Sequence, residues 1–219
     1  MQGQFELPLI YQLIAVFLLA ITGAMVAVER KYDIAGLFAL AFVAGASGAI
    51  IRDGLFLAKI PIIIQEWQYL VAITLGAVVA LFFMSYLKKF TTIFVIVDAL
   101  GLAIFAMIST QMALDINLNV LAALLVGLTG AVIGGFLRDI FTGREALLLK
   151  PGQYYISAAL AGIILFLILS YYLDVNAQLA AILGIILTFA IRIMSYFFNW
   201  QTSAVTDLPH KISGNKEKF

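Results

Sequence analysis

The sequence predicts an all-α integral membrane protein of seven transmembrane helices: an inverted 3+3 repeat and one extra C-terminal helix. Three observations predict this class. Of the 219 residues, 64% are hydrophobic and 11% are charged, whereas soluble domains average about 45–50% apolar and about 25% charged residues. Apolar runs of roughly 20 residues, the length that crosses a bilayer, alternate with short polar clusters. A motif of small residues that ends in Arg-Asp occurs twice, with its arginines 86 residues apart.

The apolar runs define seven spans and four segments of the chain. We expect the spans at residues 7–28, 34–51, 67–87, 92–114, 120–137, 154–173 and 177–198. The segments are a first repeat (1–90), a second, inverted repeat (91–175), the seventh helix (176–200) and a polar cytoplasmic tail (201–219). Each repeat holds three spans, and an odd number turns the second copy over relative to the first. The two repeats are therefore expected to be related by a two-fold axis in the membrane plane.

Several function classes are excluded by composition. The chain has no cysteine, and its one histidine, His210, lies in the polar tail. Disulfides, thiolate metal sites and a histidine-based site inside the membrane are thus excluded. The net charge is +1 without a long basic run, so we expect no nucleic-acid partner. No phosphate-binding glycine loop, zinc-protease motif or nucleophile elbow is present, and we expect neither an enzyme nor a cofactor.

The distribution of basic residues predicts the orientation in the membrane. The loops after spans one, three and five, together with the tail, carry ten lysines and arginines, whereas the opposite side carries only Arg52 and Lys59. Loops rich in lysine and arginine stay in the cytoplasm. We therefore expect the C-terminus inside and the N-terminus outside.

The two motifs combine glycines with charges. The glycines are Gly45 and Gly48 in the second span and Gly134 and Gly135 in the fifth. Each lowers helix stability by about 1 kcal/mol relative to alanine, so a kink or an unwound turn is expected at both places. Backbone carbonyls freed at Gly134 and Gly135 would then be candidate ligands for a metal cation. The alternative is that the glycines only let two helices pack closely.

The charged pairs Arg52-Asp53 and Arg138-Asp139 end the second and fifth spans. Each arginine could extend to the membrane surface, but their repeated placement favours a functional role. Asp98 lies about six residues inside the fourth span, where a carboxylate is expected to face the bundle interior or a cation. The alternative for Asp98 is an acid near a helix start, favoured by the helix dipole.

Two weaker candidates adjoin the glycines, namely Ser47 and Thr129. A hydroxyl in a membrane helix is more often hydrogen-bonded between helices than exposed to a pore. Their position beside the glycine motifs places them among the predicted pore-lining or gating residues. That set is Ser47, Arg52, Asp53, Asp98, Thr129, Arg138 and Asp139.

Taken together, these features resemble the TRIC family, the trimeric intracellular cation channels and their prokaryotic relatives. The resemblance rests on the plan of three, three and one spans, on the two glycine and Arg-Asp motifs, and on the run Asp98 to Phe105 in the fourth span. It covers about residues 8 to 198. The first motif departs from the family pattern, because Ser47 and Ala49 stand where the family often has glycine.

The resemblance implies a homotrimer in the lipid bilayer with one pore in each protomer. It also implies conduction of potassium, with sodium passing as well, through a pore lined by the bent second and fifth helices. A prokaryotic relative of this family would lie in the plasma (inner) membrane. Regulation by lipids is not carried over to this chain.

The residues themselves leave other functions open. Inverted repeats with broken helices are typical of secondary transporters, and an arginine can bind a carboxylate through two parallel hydrogen bonds. A transporter of a small solute such as an amino acid is therefore the alternative to a channel. A membrane scaffold is disfavoured by the charges inside the spans.

Overall fold

A computed structural model describes residues 7–83, 90–149 and 154–200 of the chain. Several residues used to predict the topology lie outside these ranges. They are Lys88, Lys89, Lys150, Pro151 and the tail from residue 201 onward, including His210.

The described residues form eight α-helices and no strand. The helices are α1 (Leu9–Glu29), α2 (Ile34–Ile51), α3 (Ile62–Gln65), α4 (Trp67–Phe83), α5 (Phe90–Asp115), α6 (Val120–Phe141), α7 (Tyr155–Leu167) and α8 (Ala177–Phe197). A π-helical turn extends α2 over Arg52–Phe56, and another extends α7 over Ile168–Tyr172.

Short polar side chains set where three of these helices begin. Asp33 accepts a hydrogen bond from the Gly36 amide at the start of α2, and Asn119 accepts one from the Ala122 amide at the start of α6. Asn176 accepts hydrogen bonds from the Gln178 and Leu179 amides at the start of α8. Such caps satisfy amides that have no partner within the helix. They explain why the predicted starts of these three spans agree with the structure.

The predicted membrane class is confirmed. Six of the described helices are long and apolar enough to cross a membrane, namely α1, α2 with its π turn, α5, α6, α7 with its π turn, and α8. The α4 helix is equally apolar but has only 17 described residues. The division into seven crossings and two inverted repeats stays a prediction at this point.

The unwound turns expected at the glycines do not occur. The α2 helix runs without interruption through Gly45 and Gly48, and α6 runs without interruption through Gly134 and Gly135. Their carbonyls therefore stay within α-helices and are not freed as cation ligands. The departure from α-helical geometry comes later, at Arg52, where the π turn begins.

The glycines instead let α2 and α6 cross with their backbones in contact. A Cβ atom on Gly48 would lie 2.6 Å from the Gly130 carbonyl oxygen, and one on Gly134 would lie 2.4 Å from the Ala44 carbonyl oxygen. Real Cβ atoms do not approach so closely, so each position requires glycine. Since Gly48 meets residue 130 while Gly134 meets residue 44, the two helices run in opposite directions. Their Arg-Asp pairs consequently lie at opposite ends of the bundle, which we call the Arg52 end and the Arg138 end.

Candidate functional site

At the Arg138 end, one guanidinium joins three helices. Arg138 of α6 donates from Nη1 to the Asp98 carboxylate of α5 and to the Thr22 hydroxyl of α1, both at 2.8 Å. Its Nε donates to its neighbour Asp139 at 2.9 Å. All four side chains are buried. Arg138 therefore does not extend to the membrane surface, and it binds two carboxylates at once.

A second arginine reaches the same carboxylate from α8. Arg192 is fully buried, and its Nη2 lies 3.7 Å from the second oxygen of Asp98. Its guanidinium carbon lies 4.6 Å from the centre of the Tyr155 ring, and that of Arg138 lies 4.7 Å from the centre of the Phe94 ring. Aromatic faces attract cations at these distances. Asp98 is thus an interior acid held between two cations.

The charges of this layer balance. Arg138 and Arg192 supply two positive charges, while Asp98 and Asp139 supply two negative charges. Moving buried ions out of water is unfavourable unless each has a partner, which explains why these four occur together. Removing any one of them would leave a net charge inside the bundle. A cation that reached Asp98 would have to compete with both arginines.

At the Arg52 end, the arginine has fewer partners. Arg52 is buried and donates from Nε to Asp53 at 2.8 Å, and its guanidinium carbon lies 5.2 Å from the Phe105 ring centre. Both terminal nitrogens, Nη1 and Nη2, lack a hydrogen-bond partner among the described residues. Buried guanidinium nitrogens without an acceptor are unfavourable. This end therefore retains unused capacity to bind an anion or a polar group.

The two aspartates of the motifs also hold the segments that follow them. The second oxygen of Asp53 accepts a hydrogen bond from the Ile62 amide at 2.9 Å. The second oxygen of Asp139 accepts one from the Leu147 amide at 3.2 Å. In both copies the carboxylate thus bridges its arginine and the backbone eight or nine residues later. This shared arrangement explains why Asp follows Arg in each motif.

Arg52 has fewer partners than Arg138 because the residues at positions 12 and 98 differ. These two positions are 86 residues apart, as the two arginines are. Asp98 binds Arg138, whereas position 12 is Gln12, whose side-chain oxygen accepts a hydrogen bond from Tyr69 at 2.6 Å. An amide carries no charge and this one is already engaged. Arg52 consequently has no counterpart of the Asp98 carboxylate.

The remaining predicted residues do not join either cluster. Ser47 donates to the Val43 carbonyl and Thr129 donates to the Leu125 carbonyl, each within its own helix. Among the described residues, no group of three or more histidine, cysteine, aspartate or glutamate side chains could hold a metal ion. The predicted charges are therefore brought together at two ends, while the hydroxyls of Ser47 and Thr129 bond within their own helices.

Three further buried side chains at the two ends were not among the predicted site residues. Thr22 was one of several polar positions in the spans, and nothing in sequence distinguishes the hydroxyl that Arg138 binds. Arg192 lies in the seventh span, where the sequence gives no indication of its partner, and the structure pairs it with Asp98. Ser109 is buried and has no hydrogen-bond partner among the described residues. Its position one helical turn after Phe105 on α5 was the available signal.

A cavity of about 350 Å³ opens beside the Arg138 cluster. Its lining includes Arg30, Phe94, Asp139, Arg144 and Glu145. Arg144 also pairs with Glu29 at the end of α1. Asp139 therefore lines an open cavity at this end, next to the layer formed by Arg138 and Asp98.

Comparison with known proteins places the chain among bacterial membrane proteins. The model of a family described as "Glycine transporter" matches residues 9–85 and, again, residues 95–171. The chain belongs to this family. The two matches are offset by 86 residues, which is the spacing of the Arg-Asp motifs. The UPF0126 membrane protein YvgT of Bacillus subtilis is 32% identical over 197 residues, which are 86% of this chain and 91% of the relative.

Solved structures of the TRIC family share the fold. A TRIC trimeric intracellular cation channel orthologue from Rhodobacter sphaeroides superposes with a TM-score of 0.82 at 28% identity, covering 87% of this chain and 97% of the other. A second TRIC cation channel structure superposes with a TM-score of 0.76 at 27% identity, covering 89% of this chain and 95% of the other. The resemblance predicted from the motifs is confirmed. These proteins are channels and not enzymes, in agreement with the sequence prediction.

Proposed function

We propose that this chain is a monovalent cation channel that conducts mainly potassium. The observation that carries the proposal is the likeness, over almost the whole chain, to structures of TRIC cation channels. Asp53 and Asp139 at the two ends, and Asp98 deeper in the bundle, are the buried carboxylates that a permeating cation could approach once their arginines move away. The pore runs along the α2–α6 crossing, and potassium or sodium is the permeating ion. No cofactor is needed.

In this proposal the Arg138 layer is the gate. Arg138 and Arg192 lie 2.8 and 3.7 Å from the two oxygens of Asp98, so a cation reaches this carboxylate only when at least one arginine moves away. The cavity beside Asp139 supports access from the Arg138 end. The pore-facing residues that we propose are Arg52, Asp53, Asp98, Arg138 and Asp139.

The assembly that we propose is a homotrimer in the bacterial inner membrane, with a pore in each protomer. Each protomer contains two inverted repeats, followed by α8. The two glycine contacts between α2 and α6 support this symmetry. A shift of 86 residues takes Gly48 to Gly134 and takes Gly130 back to Ala44, so it converts the Gly48–Gly130 contact into the Gly134–Ala44 contact. Contacts that exchange in this way are the signature of a two-fold axis.

Recordings from purified protein in a planar bilayer test the channel directly. Symmetric potassium chloride should give unitary currents, and a potassium chloride gradient should give a reversal potential of the sign expected for cations. The Asp98→Asn variant should lower the conductance or the selectivity for cations. Bilayers that stay silent while protein-containing liposomes accumulate glycine saturably would contradict the channel.

The orientation can be tested because the chain has no cysteine of its own. Leu55 at the Arg52 end and Ile34 at the Arg138 end are both well exposed. A membrane-impermeant maleimide should label a Leu55→Cys variant in intact cells and label an Ile34→Cys variant only after lysis. The reverse pattern would place the Arg138 end outside. Native mass spectrometry of the same preparation reports whether the protein is a trimer.

The second candidate is a secondary transporter of a small amino acid. Two observations favour it, namely the description of the family model that matches both halves of the chain and the unpartnered guanidinium nitrogens of Arg52. Uptake of labelled glycine into protein-containing liposomes tests it. Saturable uptake that unlabelled glycine inhibits would support a transporter, whereas uptake equal to that of empty liposomes would exclude one for glycine.

A further inference from the structure

Two unpartnered polar groups lie beside the same glycine. The Ser109 hydroxyl and the Arg52 Cδ atom lie 2.4 and 3.8 Å, respectively, from the point at which Gly130 would carry a Cβ atom. The hydroxyl and both terminal nitrogens of Arg52 lack hydrogen-bond partners among the described residues, and both side chains are at least 99% buried. Buried polar groups are normally paired. Two such groups on different helices, with three unused polar atoms, point to a ligand.

The chemistry of the missing partner follows from the other end of the bundle. Arg138 donates from Nε to the aspartate that follows it and from Nη1 to Asp98. Arg52 makes the first contact with Asp53 and lacks the second, because Gln12 stands at the position that corresponds to Asp98. The partner that Arg52 lacks is therefore a carboxylate.

We propose that Arg52 and Ser109 bind the carboxylate of a small amino acid such as glycine. The terminal guanidinium nitrogens donate to the carboxylate oxygens in parallel, the geometry that arginine favours. The Ser109 hydroxyl donates a third hydrogen bond. The inference deepens the second candidate function and rests on it, since it assigns to that function a ligand class and a site.

The surroundings of Arg52 restrict the size of the ligand. A Cβ atom on Gly48 would lie 3.4 Å from the Phe105 ring and 2.6 Å from the Gly130 backbone. The helices thus pack closely one turn before Arg52, which is itself only 1% exposed, and the proposed ligand must be small to enter this region. Access is from the Arg52 end, where Gly54 and Leu55 are exposed just beyond Arg52.

Equilibrium binding of tritiated glycine to the purified, full-length protein tests the site. Wild-type protein should bind glycine saturably, acetate should compete, and methylamine, which has no carboxylate, should not. The Ser109→Ala variant should bind about tenfold more weakly or worse, as expected when a hydrogen bond to a charged group is lost. Its thermal stability should not change, because Ser109 has no hydrogen-bond partner to lose in the described part of the chain.

Two further variants give the test its controls. Ser170 is also buried, but its hydroxyl donates to the Phe166 carbonyl within its own helix, so Ser170→Ala should bind glycine like the wild type. Gln12→Asp should abolish binding, because the new carboxylate would take the place of the ligand. Absence of saturable binding, competition by methylamine as strong as by acetate, or equal affinities of Ser109→Ala and Ser170→Ala would each overturn the site.

The binding result is separable from the transport result. Binding that depends on Ser109, without uptake into liposomes, would support the site and contradict transport. Uptake with unchanged binding by Ser109→Ala would support transport and overturn the site.

Discussion

Arg138 and Asp98, separated by 40 residues in the chain, form a buried ion pair with a 2.8 Å contact that joins α6 to α5. The same carboxylate faces Arg192 of α8. Three helices from different parts of the chain therefore depend on one acid, and removal of its charge affects both contacts.

Replacing Asp98 with asparagine should destabilise the protein by about 3–5 kcal/mol, the usual effect of removing one partner of a buried ion pair. The shape of the side chain is retained, so the loss reflects charge. The measurement is the thermal unfolding temperature in detergent. Glu29→Gln is the control, because its pair with Arg144 is partly exposed and such pairs contribute about 0–1 kcal/mol. Similar unfolding temperatures for the two variants would show that Asp98 is not held as described.

Replacing Thr22 with valine should destabilise the protein by about 1–3 kcal/mol, because Arg138 Nη1 loses one of its two acceptors inside the bundle. Valine keeps the size and branching of threonine. Thr74→Val provides the comparison, since the exposed Thr74 hydroxyl donates only to the Leu70 carbonyl of its own helix. Chemical unfolding of the two variants should separate them. Equal unfolding midpoints would contradict a role for Thr22 in holding Arg138.

Replacing Gly134 with alanine should separate α2 from α6 or prevent folding, since the new methyl group would lie 2.4 Å from the Ala44 carbonyl oxygen. Overpacked cores lose about 1–3 kcal/mol, and occasionally more. Gly54→Ala is the matched variant, because a Cβ atom there would meet nothing within 4 Å. Yield of folded protein on size exclusion and the unfolding temperature measure the effect. A Gly134→Ala variant as stable as Gly54→Ala would argue against backbone contact at the crossing.

Replacing Asn119 with alanine should destabilise the start of α6 by about 1 kcal/mol, the usual contribution of a helix N-cap. Asn119→Asp should retain stability, because its carboxylate can accept from the Ala122 amide in the same way. Hydrogen exchange of the first turn of α6 reports the loss locally. Exchange in Asn119→Ala that is no faster than in Asn119→Asp would show that the cap contributes nothing.

The sequence predicts much of the fold because apolar length and capping residues are local signals. The bounds of α2 agree at both ends with the span expected at 34–51, since Asp33 caps its start and a charged pair marks its end. An unwound turn at the glycines was expected and does not occur, because glycine lowers helix propensity and permits close packing alike. Only the position of α2 relative to α6 decides between these two effects, and a single sequence does not give that position.

For the candidate site, sequence identified the charges but not their pairing. Arg138 pairs both with its neighbour Asp139 and with Asp98 of another helix. Its third partner, Thr22, lies 116 residues away in the chain, and no local pattern reports such a contact. The sequence also could not predict that the Ser109 hydroxyl beside Arg52 lacks a hydrogen-bond partner, because this requires the positions of all its neighbours.

The crossing of α2 and α6 also limits how the two halves of the protein can move. Sliding one helix along the other by a single turn, about 5.4 Å, would bring Ala44 or Arg52 to the place of Gly48. A side chain would then occupy the space in which the Gly130 backbone now lies. The two backbone contacts therefore oppose sliding of α2 along α6. Arg52 and Arg138 lie one helical turn beyond Gly48 and Gly134, so the crossing also limits how far either arginine can shift along its helix.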